Sequence, residues 1–493
     1  MKKFSKIISL ILSVMLLLSI SVVSSYAAGE NAPFRINCTI NGDTATQRGF
    51  CWYTKSETDT KVEISILGVP VNSAKVEVVG SEKFEGNYYH KAVVSGLAAG
   101  ITYGYRVGDG NVWSDYGYFT TDNGDDIVNF IAVADVQASV LDRMEKGANV
   151  LDKALDHQIG TDFVVNLGDF TNDSTNEEWD LYDQCFGEMN LTYSLVPVAG
   201  NHDSNANWFN NLFTLDTSES VTTKNGVNYS FDVGNCHFAV LNTNDNIAIS
   251  KTQLTWLKND MNSTDKDWKI VFLHKAPYSL GKDAKWPDMW YIQKYLTAVC
   301  DETNVDLVMS GHDHMYLRTK ALKNQAIDED GTTYVLAGTA GDKRYEIRKF
   351  LGDTFMKKDL IANLVVQKDG YANCWDDENN SWDEVNLNNV GGCFNTVSIV
   401  GTTLTLNSYI VKDLAEGEED NIITNTDTYT RTKAAGENEI TFTGDNTVPK
   451  QAYLENKVID FIHFATYTLT EWLGNFMSML PAILQSVIVE DTF

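Results

Sequence analysis

The chain has 493 residues, with 38 Lys and Arg against 67 Asp and Glu and a formal net charge of −29. Apolar residues make up 43% and aromatics 11%, which describes a folded chain with cores of its own and excludes a disordered, collagen-like or coiled-coil protein. The acidic balance also excludes nucleic acid as a partner held by charge, and an anionic small substrate needs metal or local positive charge to overcome the field.

Residues 1–27 read as a secretory signal peptide. Lys2, Lys3 and Lys6 precede an apolar run from Ile7 to Ile20, and Ser25-Tyr26-Ala27-Ala28 is a small-residue exit. That leader predicts a secreted or cell-surface protein. The seven cysteines are too few and too scattered for a disulfide scaffold, and none has the C-x-x-C spacing of a thiolate zinc site. Two pairings stay open: Cys38 with Cys51 across a hairpin at Asn41-Gly42-Asp43, and Cys374 with Cys393 around a loop.

Residues 31–122 predict an all-β domain. Candidate strands are Phe34–Cys38, Thr46–Tyr53, Lys61–Leu67, Lys75–Val79, His90–Ser95, Ile101–Val107 and Gly117–Thr121. Seven short strands between turn signals is the count of an immunoglobulin-like sandwich, with Trp52 filling its centre. The stretch Leu97–Val107, with Tyr103 as tether, resembles the tyrosine corner of fibronectin type III modules.

After the acidic joint Asp122–Asp126 the pattern changes, and residues 127–412 predict a second domain. Apolar runs (Val128–Ala134, Phe163–Leu167, Tyr193–Ala199, Trp268–Leu273, Val305–Met309) alternate with helix-like stretches such as Asp142–His157 and Asn176–Cys185. Such runs imply sheet buried on both faces, an α/β layered architecture. Each run leads into polar residues: Asp135-Val136-Gln137, Gly168-Asp169-Phe170-Thr171-Asn172, Gly200-Asn201-His202-Asp203, His274, and Gly311-His312-Asp313-His314. The carboxyl ends of buried strands are where α/β folds put ligand sites, so the five clusters are expected to converge. Asp, Asn and His without thiolate suit Zn, Mn or Fe. Asp135, Asp169, Asn201, His274, His312 and His314 exceed what one tetrahedral ion uses, and two ions sharing one carboxylate would use them all. Two cations also neutralise a phosphate in an acidic protein, so the clusters predict phosphoester hydrolysis.

The order D-x-(H), G-D, G-N-H-D, H, G-H-x-H resembles the calcineurin-like metallophosphoesterases, and with the β domain ahead of it the chain resembles the purple acid phosphatase type. The resemblance implies an α-β-β-α layered catalytic domain. It implies Asp135 and His314 on one metal, Asn201, His274 and His312 on the other, and Asp169 bridging them. It further implies in-line attack on phosphorus by a hydroxide between the metals, with His202 serving the leaving oxygen and Asp203 orienting its imidazole. Tyr316 and Arg318, just past the last motif, are expected to touch substrate. Two departures stand out. Gln137 replaces the histidine that many relatives carry in the first motif, giving a weaker donor there, and Asn172 stands where purple enzymes have their colour-giving tyrosine. Gln137 and Asn172 are therefore weak ligands or supports of ligands. The implied activity is acid phosphatase-like, with a phosphodiesterase on the same site, or a catalytically weakened binding protein, as the alternatives.

Residues 341–392, charged and rich in Asn and Asp, are expected to be an insertion at the site rim. From 450 to 493 the chain turns apolar at helical spacing, and Trp472 to Val489 has no charged residue. This predicts a helical tail that packs on the protein or a partner copy, or lies on a membrane surface.

Overall fold

The computed structural model describes residues 29 and 31–434 apart from 205–206, 223–225, 245–248, 285, 348–357, 367–370, 377–380, 387–389 and 413–422. Residues 1–27, expected to be a signal peptide, and residues 450–493, expected to be a helical tail, lie outside the described residues. No helix among the described residues is long and apolar enough to cross a membrane.

Eight strands build the N-terminal domain: β1 (Phe34–Thr39), β2 (Arg48–Thr54), β3 (Lys61–Ile66), β4 (Val69–Pro70), β5 (Lys75–Phe84), β6 (Asn87–Ser95), β7 (Thr102–Gly108) and β8 (Gly117–Thr120). They form one sheet face with order β1-β2-β6-β5 and a second sheet with order β4-β3-β7-β8. Alternate residues of the first (Ile36, Cys38, Phe50, Trp52, Ala92, Val94) meet Ile64, Tyr103, Tyr105, Val107 and Phe119 of the second in a single core. Tyr103 tethers the turn before its strand, its Oη accepting from Ala98 N at 2.8 Å. The β5–β6 hairpin is longer than expected and closes on Glu85-Gly86, both with positive φ (47° and 83°), the geometry of a two-residue type I′ turn. Gly80-Ser81-Glu82-Lys83 hides this extension in the sequence because it reads as turn.

The second domain contains β9 (Ile127–Val133), α1 (Leu141–His157), β10 (Phe163–Asn166), α2 (Asn176–Asn190), β11 (Leu195–Pro197), α3 (Trp208–Leu212), β12 (Tyr229–Val233), β13 (Cys236–Val240), α4 (Lys251–Ser263), β14 (Trp268–Lys275), α5 (Pro287–Thr303), β15 (Leu307–Gly311) and β16 (Tyr316–Thr319). After the short hairpin β17 (Leu322–Lys323) and β18 (Ala326–Ile327) come β19 (Thr333–Ala337), β20 (Ile361–Val366), β21 (Tyr371–Asp376), β22 (Ser381–Asn386), β23 (Val390–Val400), β24 (Thr403–Lys412) and β25 (Ile423–Thr432). One sheet runs β25-β24-β23-β9-β10-β11 and continues through β1 into the N-terminal domain, and the other runs β12-β13-β14-β15-β19-β16-β20-β21-β22.

The side-chain period of two explains the layering. Val128, Phe130, Ala132, Phe163 and Val165 point from the first sheet into a core shared with Phe238, Val240, Ile270, Phe272, Leu307 and Met309 of the second, so the sheets lie face to face. The intervening residues Ile131, Val133 and Val164 pack on α1 and α2, while Val271, Leu273 and Val308 pack on α4 and α5. Local signals start the helices: Thr175 and Glu178 form a reciprocal capping box on α2, and Ser250 caps α4.

Two expectations are corrected here. Residues 341–392, expected as an insertion, contain β20, β21 and β22, which extend the second sheet beyond β16. The first sheet also gains β25 beyond residue 412. The cysteine pairings fail as well. Asn37, not Cys38, lies opposite Cys51, and the one-residue offset sends the two side chains to opposite faces and different cores. Cys38, Cys51 and Cys393 are all buried free thiols.

His237 ties β13 to its neighbours, with Nδ1 2.7 Å from Asp232 and Nε2 2.9 Å from Asp260. Burial alone would lower its pKa, but hydrogen bonds and charge from those two carboxylates outweigh burial and raise it to about 9. The folded state therefore holds the proton more tightly than the unfolded chain. Its stabilisation is complete below pH about 6.5 and is lost as the pH rises through about 9. His237→Gln is expected to cost about 2 kcal/mol at pH 6, after discounting for the exposed Asp232, and almost nothing at pH 10. Urea denaturation of both proteins at the two pH values measures this, and an equal loss at both would contradict it.

Candidate metal centre

Five strands end at one place. β9, β10 and β11 are parallel neighbours in one sheet, and β14 and β15 are parallel neighbours in the other. Asp135 and Gln137 follow β9, Asp169 follows β10, Asn201 to Asp203 follow β11, His274 lies at the end of β14, and His312 and His314 follow β15. The site therefore straddles the carboxyl edges of both sheets. Asp135, Gln137, Asp169, His312 and His314 all have positive φ, from 40° to 83°. Non-glycine residues pay for that backbone, and such strain concentrates where side chains must be aimed.

Two groups of donor atoms result, Asp169 with His274 and His312, and Asp135 with Asp169 and His314, each within 4.8 Å of one another. In the first group His274 Nε2 lies 3.4 Å from Asp169 Oδ2, 3.1 Å from Asn201 Oδ1 and 3.2 Å from His312 Nδ1. In the second, His314 Nε2 is 3.6 Å from Asp135 Oδ1. Donors about 2.1 Å from a common cation at angles of about 90–120° are themselves about 3.0–3.6 Å apart, so these spacings fit a coordination shell. The ring tautomers fit too. His274 Nδ1 donates to Leu167 O at 2.8 Å and His314 Nδ1 donates to the Lys343 carbonyl, which leaves Nε2 of both facing the site.

The buried carboxylates and imidazoles are strongly coupled. Burial raises the Asp135 pKa, aided by the Asp169 charge and opposed by His274. Burial works to raise Asp169 as well, but the charge and hydrogen bond of His274, whose own pKa Asp169 and Asp135 raise to about 9 against burial, override it and hold that carboxyl below the usual range. Burial pushes His314 down to about 3 and, with the His274 charge, lowers His312, so both rings are neutral donors.

Close backbone approach explains two glycines. A Cβ on Gly200 would sit 2.2 Å from Asp169 N and Oδ1, and one on Gly168 would sit 2.7 Å from His274 Nδ1.

Asp203 does not orient His202. Its buried carboxylate accepts from Asp169 N (2.7 Å), Gly200 N (2.8 Å) and Phe170 N (2.9 Å), bracing the loop that carries Asp169. The His202 ring is oriented by the Asn172 carbonyl, which accepts from Nδ1, while His202 N donates to Asp169 Oδ1 at 2.9 Å. Asn172 thus acts through its backbone, and its side-chain amide turns to Asp173. Gln137 is buried with Oε1 lacking any protein partner, an acceptor that a cation or the water on it would satisfy.

Residues 128–316 match the calcineurin-like phosphoesterase family, and residues 33–121 match the purple acid phosphatase N-terminal domain. The chain carries both domains, in that order. Among curated relatives, it is 26% identical to purple acid phosphatase 22 of Arabidopsis thaliana over 276 residues, 53% of this chain and 60% of that protein. It is 26% identical to purple acid phosphatase 21 of the same plant, over 39% of this chain and 47% of the relative. It is 22% identical to acid phosphatase type 7 of Danio rerio over 54% of this chain and 67% of that one. The chain spans about half the length of the first curated relatives it matches. The purple acid phosphatase of yellow lupin (Lupinus luteus) seeds shares the fold, with a TM-score of 0.58 at 14% identity over 82% of this chain and 74% of its own. PhoD shares it at a TM-score of 0.55 and 12% identity over 83% of this chain and 92% of its own.

Within the phosphoesterase domain, the expectation for Tyr316 and Arg318 is corrected. Tyr316 is fully buried and donates to Asp427 Oδ2 at 2.6 Å. Arg318 grips the same carboxylate through Nε at 2.6 Å and Nη2 at 3.0 Å. Asp427 lies on β25 of the first sheet and β16 belongs to the second, so these residues clamp the sheets together. Sequence reasoning missed the loops around the site. Asp313 accepts from Ser279 Oγ and from Asp283 N (3.1 Å), Asp283 Oδ2 lies 4.0 Å from His312 Nε2, and Tyr345 stacks on His314 with centroids 4.3 Å apart. Only the position of Asp313 inside the Gly-His-x-His motif signalled any of these.

Proposed function

We propose that this protein is a secreted or cell-surface phosphoester hydrolase that uses two metal ions. The carrying observation is the pair of buried donor clusters that share Asp169 at the joint edge of two sheets. Asp135, Asp169 and His314 would hold one cation, and Asp169, Asn201, His274 and His312 the other, with Fe, Zn and Mn the candidates. Such a pair supplies Lewis acidity and an activated water for in-line displacement at phosphorus. His202, fixed through Nδ1 by the Asn172 carbonyl, keeps Nε2 for giving a proton to the departing ester oxygen. Asp203 keeps the Asp169 loop rigid. The leader at residues 1–27 supports the extracellular setting.

The test is turnover of p-nitrophenyl phosphate and of its bis-ester with Mn, Zn, Fe or Ca across pH. Metal-dependent release of p-nitrophenol supports the reading, and the ratio of the two rates ranks phosphatase against phosphodiesterase. Absence of turnover with every metal, from folded protein, overturns it and leaves a binding protein on a hydrolase fold.

Gln137→His replaces an amide oxygen by a stronger imidazole donor and is expected to tighten the Asp135 site about tenfold. Equilibrium dialysis measures this. A variant that holds less metal than the parent would remove Gln137 from the site.

A further inference from the structure

The loop between β14 and α5 ends on an exposed tryptophan that its neighbours hold in place. Trp286 caps the start of α5 and keeps 52% of its surface exposed, and Pro287 follows it at the first helical position. An exposed aromatic residue by itself needs no explanation. Trp286 differs because both of its N–H groups are tied to one residue. The backbone N donates to Asp283 O at 3.0 Å, and Nε1 donates to Asp283 Oδ1 at 3.1 Å. The indole N–H lies in the ring plane, so this bond fixes the ring by its edge.

Asp283 is anchored in turn. Its N donates to Asp313 Oδ1 at 3.1 Å, Asp313 is buried between His312 and His314 in the chain, and a Cβ on Gly281 would lie 2.4 Å from the Asp313 carboxylate. The other Asp283 oxygen, Oδ2, is 4.0 Å from His312 Nε2. The histidine motif, the loop and the indole therefore form one connected scaffold, and the ring is set back from the metal centre by the width of a carboxylate and two contacts. A group bonded directly to phosphate would fall short of it, whereas a base carried on a sugar would reach it. A chain of net charge −29 gains little from charge on an anionic ester away from the metals, and stacking on a neutral ring adds affinity without it.

We propose that Trp286 is a specificity-determining residue that stacks on the nucleobase of a nucleotide whose phosphate lies at the metal centre. This rests on the phosphoesterase reading and adds the organic part of the substrate to it. Trp290, one turn further along α5, is 48% exposed and carries Lys294 Nζ 5.1 Å from its ring centre, which makes it the control for a merely exposed indole.

The test compares adenosine 5′-monophosphate with ribose 5-phosphate, which share the leaving oxygen and differ by the base. The metal-loaded parent, Trp286→Ala, Trp286→Phe and Trp290→Ala are assayed for kcat and KM on both, and binding of the non-hydrolysable phosphonate analogues of both is followed by calorimetry. The parent is expected to favour the nucleotide about tenfold in kcat/KM. Trp286→Ala is expected to lose at least about five times more on the nucleotide than on ribose 5-phosphate, through KM and not kcat, with Trp286→Phe keeping most of the preference and Trp290→Ala all of it. Metal content and thermal midpoint should stay at the parent's values, which a merely structural role for the indole would not allow. Equal kcat/KM for the two esters in the parent, equal losses on both in Trp286→Ala, or the same loss of preference in Trp290→Ala overturns the platform and leaves the hydrolase standing. Parent protein that hydrolyses neither ester but binds the nucleotide analogue more tightly than the ribose analogue, with Trp286→Ala binding both alike, supports the platform while overturning the hydrolase. Equal binding of the two analogues by the parent overturns the platform outright.

Discussion

Asp169→Asn is expected to empty both metal sites and to lower turnover by on the order of a thousandfold or more. Asp169 is the one residue common to both donor clusters, and it is wholly buried. Asn keeps the shape and one oxygen, so His202 N can still donate as it now does to Asp169 Oδ1 at 2.9 Å, and the loop should hold. What disappears is the negative charge and the second oxygen donor. Metal content by mass spectrometry should fall from about two equivalents to almost none, with an unchanged circular dichroism spectrum. Full occupancy of one site in the variant would show that Asp169 does not serve both ions.

Asp203→Asn is expected to act through the fold first. The carboxylate absorbs three backbone N–H groups in a site without solvent, from Asp169, Gly200 and Phe170. Oδ2 accepts from Asp169 N and Gly200 N and Oδ1 from Phe170 N, and an amide keeps only one of the two oxygens, so at least one buried N–H loses its acceptor and faces an NH2 instead. The cost is about 3 kcal/mol or more, and the loosened Asp169 loop should weaken metal binding as well. His202→Ala, in contrast, removes a partly exposed ring from one carbonyl and should reduce kcat with little change in the thermal midpoint. If Asp203→Asn lost activity at full stability and full metal content, an orienting role toward His202 would be restored.

The contrast between these two neighbours shows what the sequence could carry. Polar residues past apolar strands stand out because each buried strand forbids them until its end, and Asp135, Asp169, Asn201, His274, His312 and His314 were visible for that reason. The partner of a side chain is not visible. Asp203 follows His202 in the chain, yet its carboxylate turns inward to backbone that the neighbouring strand supplies. Tyr316 and Arg318 read as site residues by proximity to His314, but alternation along β16 and the Asp427 carboxylate of an unrecognised strand decide their place. That strand, β25, and the strands β21 and β22 lie in polar, Asn- and Asp-rich sequence whose strand character comes from pairing with a neighbouring strand.

Metal titration of the stripped protein tests the central claim most directly. Rate of p-nitrophenyl phosphate hydrolysis is followed against equivalents of Zn, Mn or Fe bound per chain. Two clusters sharing Asp169 predict that full turnover appears only as the second equivalent binds. Full turnover at one equivalent, or two equivalents bound with no turnover on either ester, would contradict a two-metal phosphoesterase.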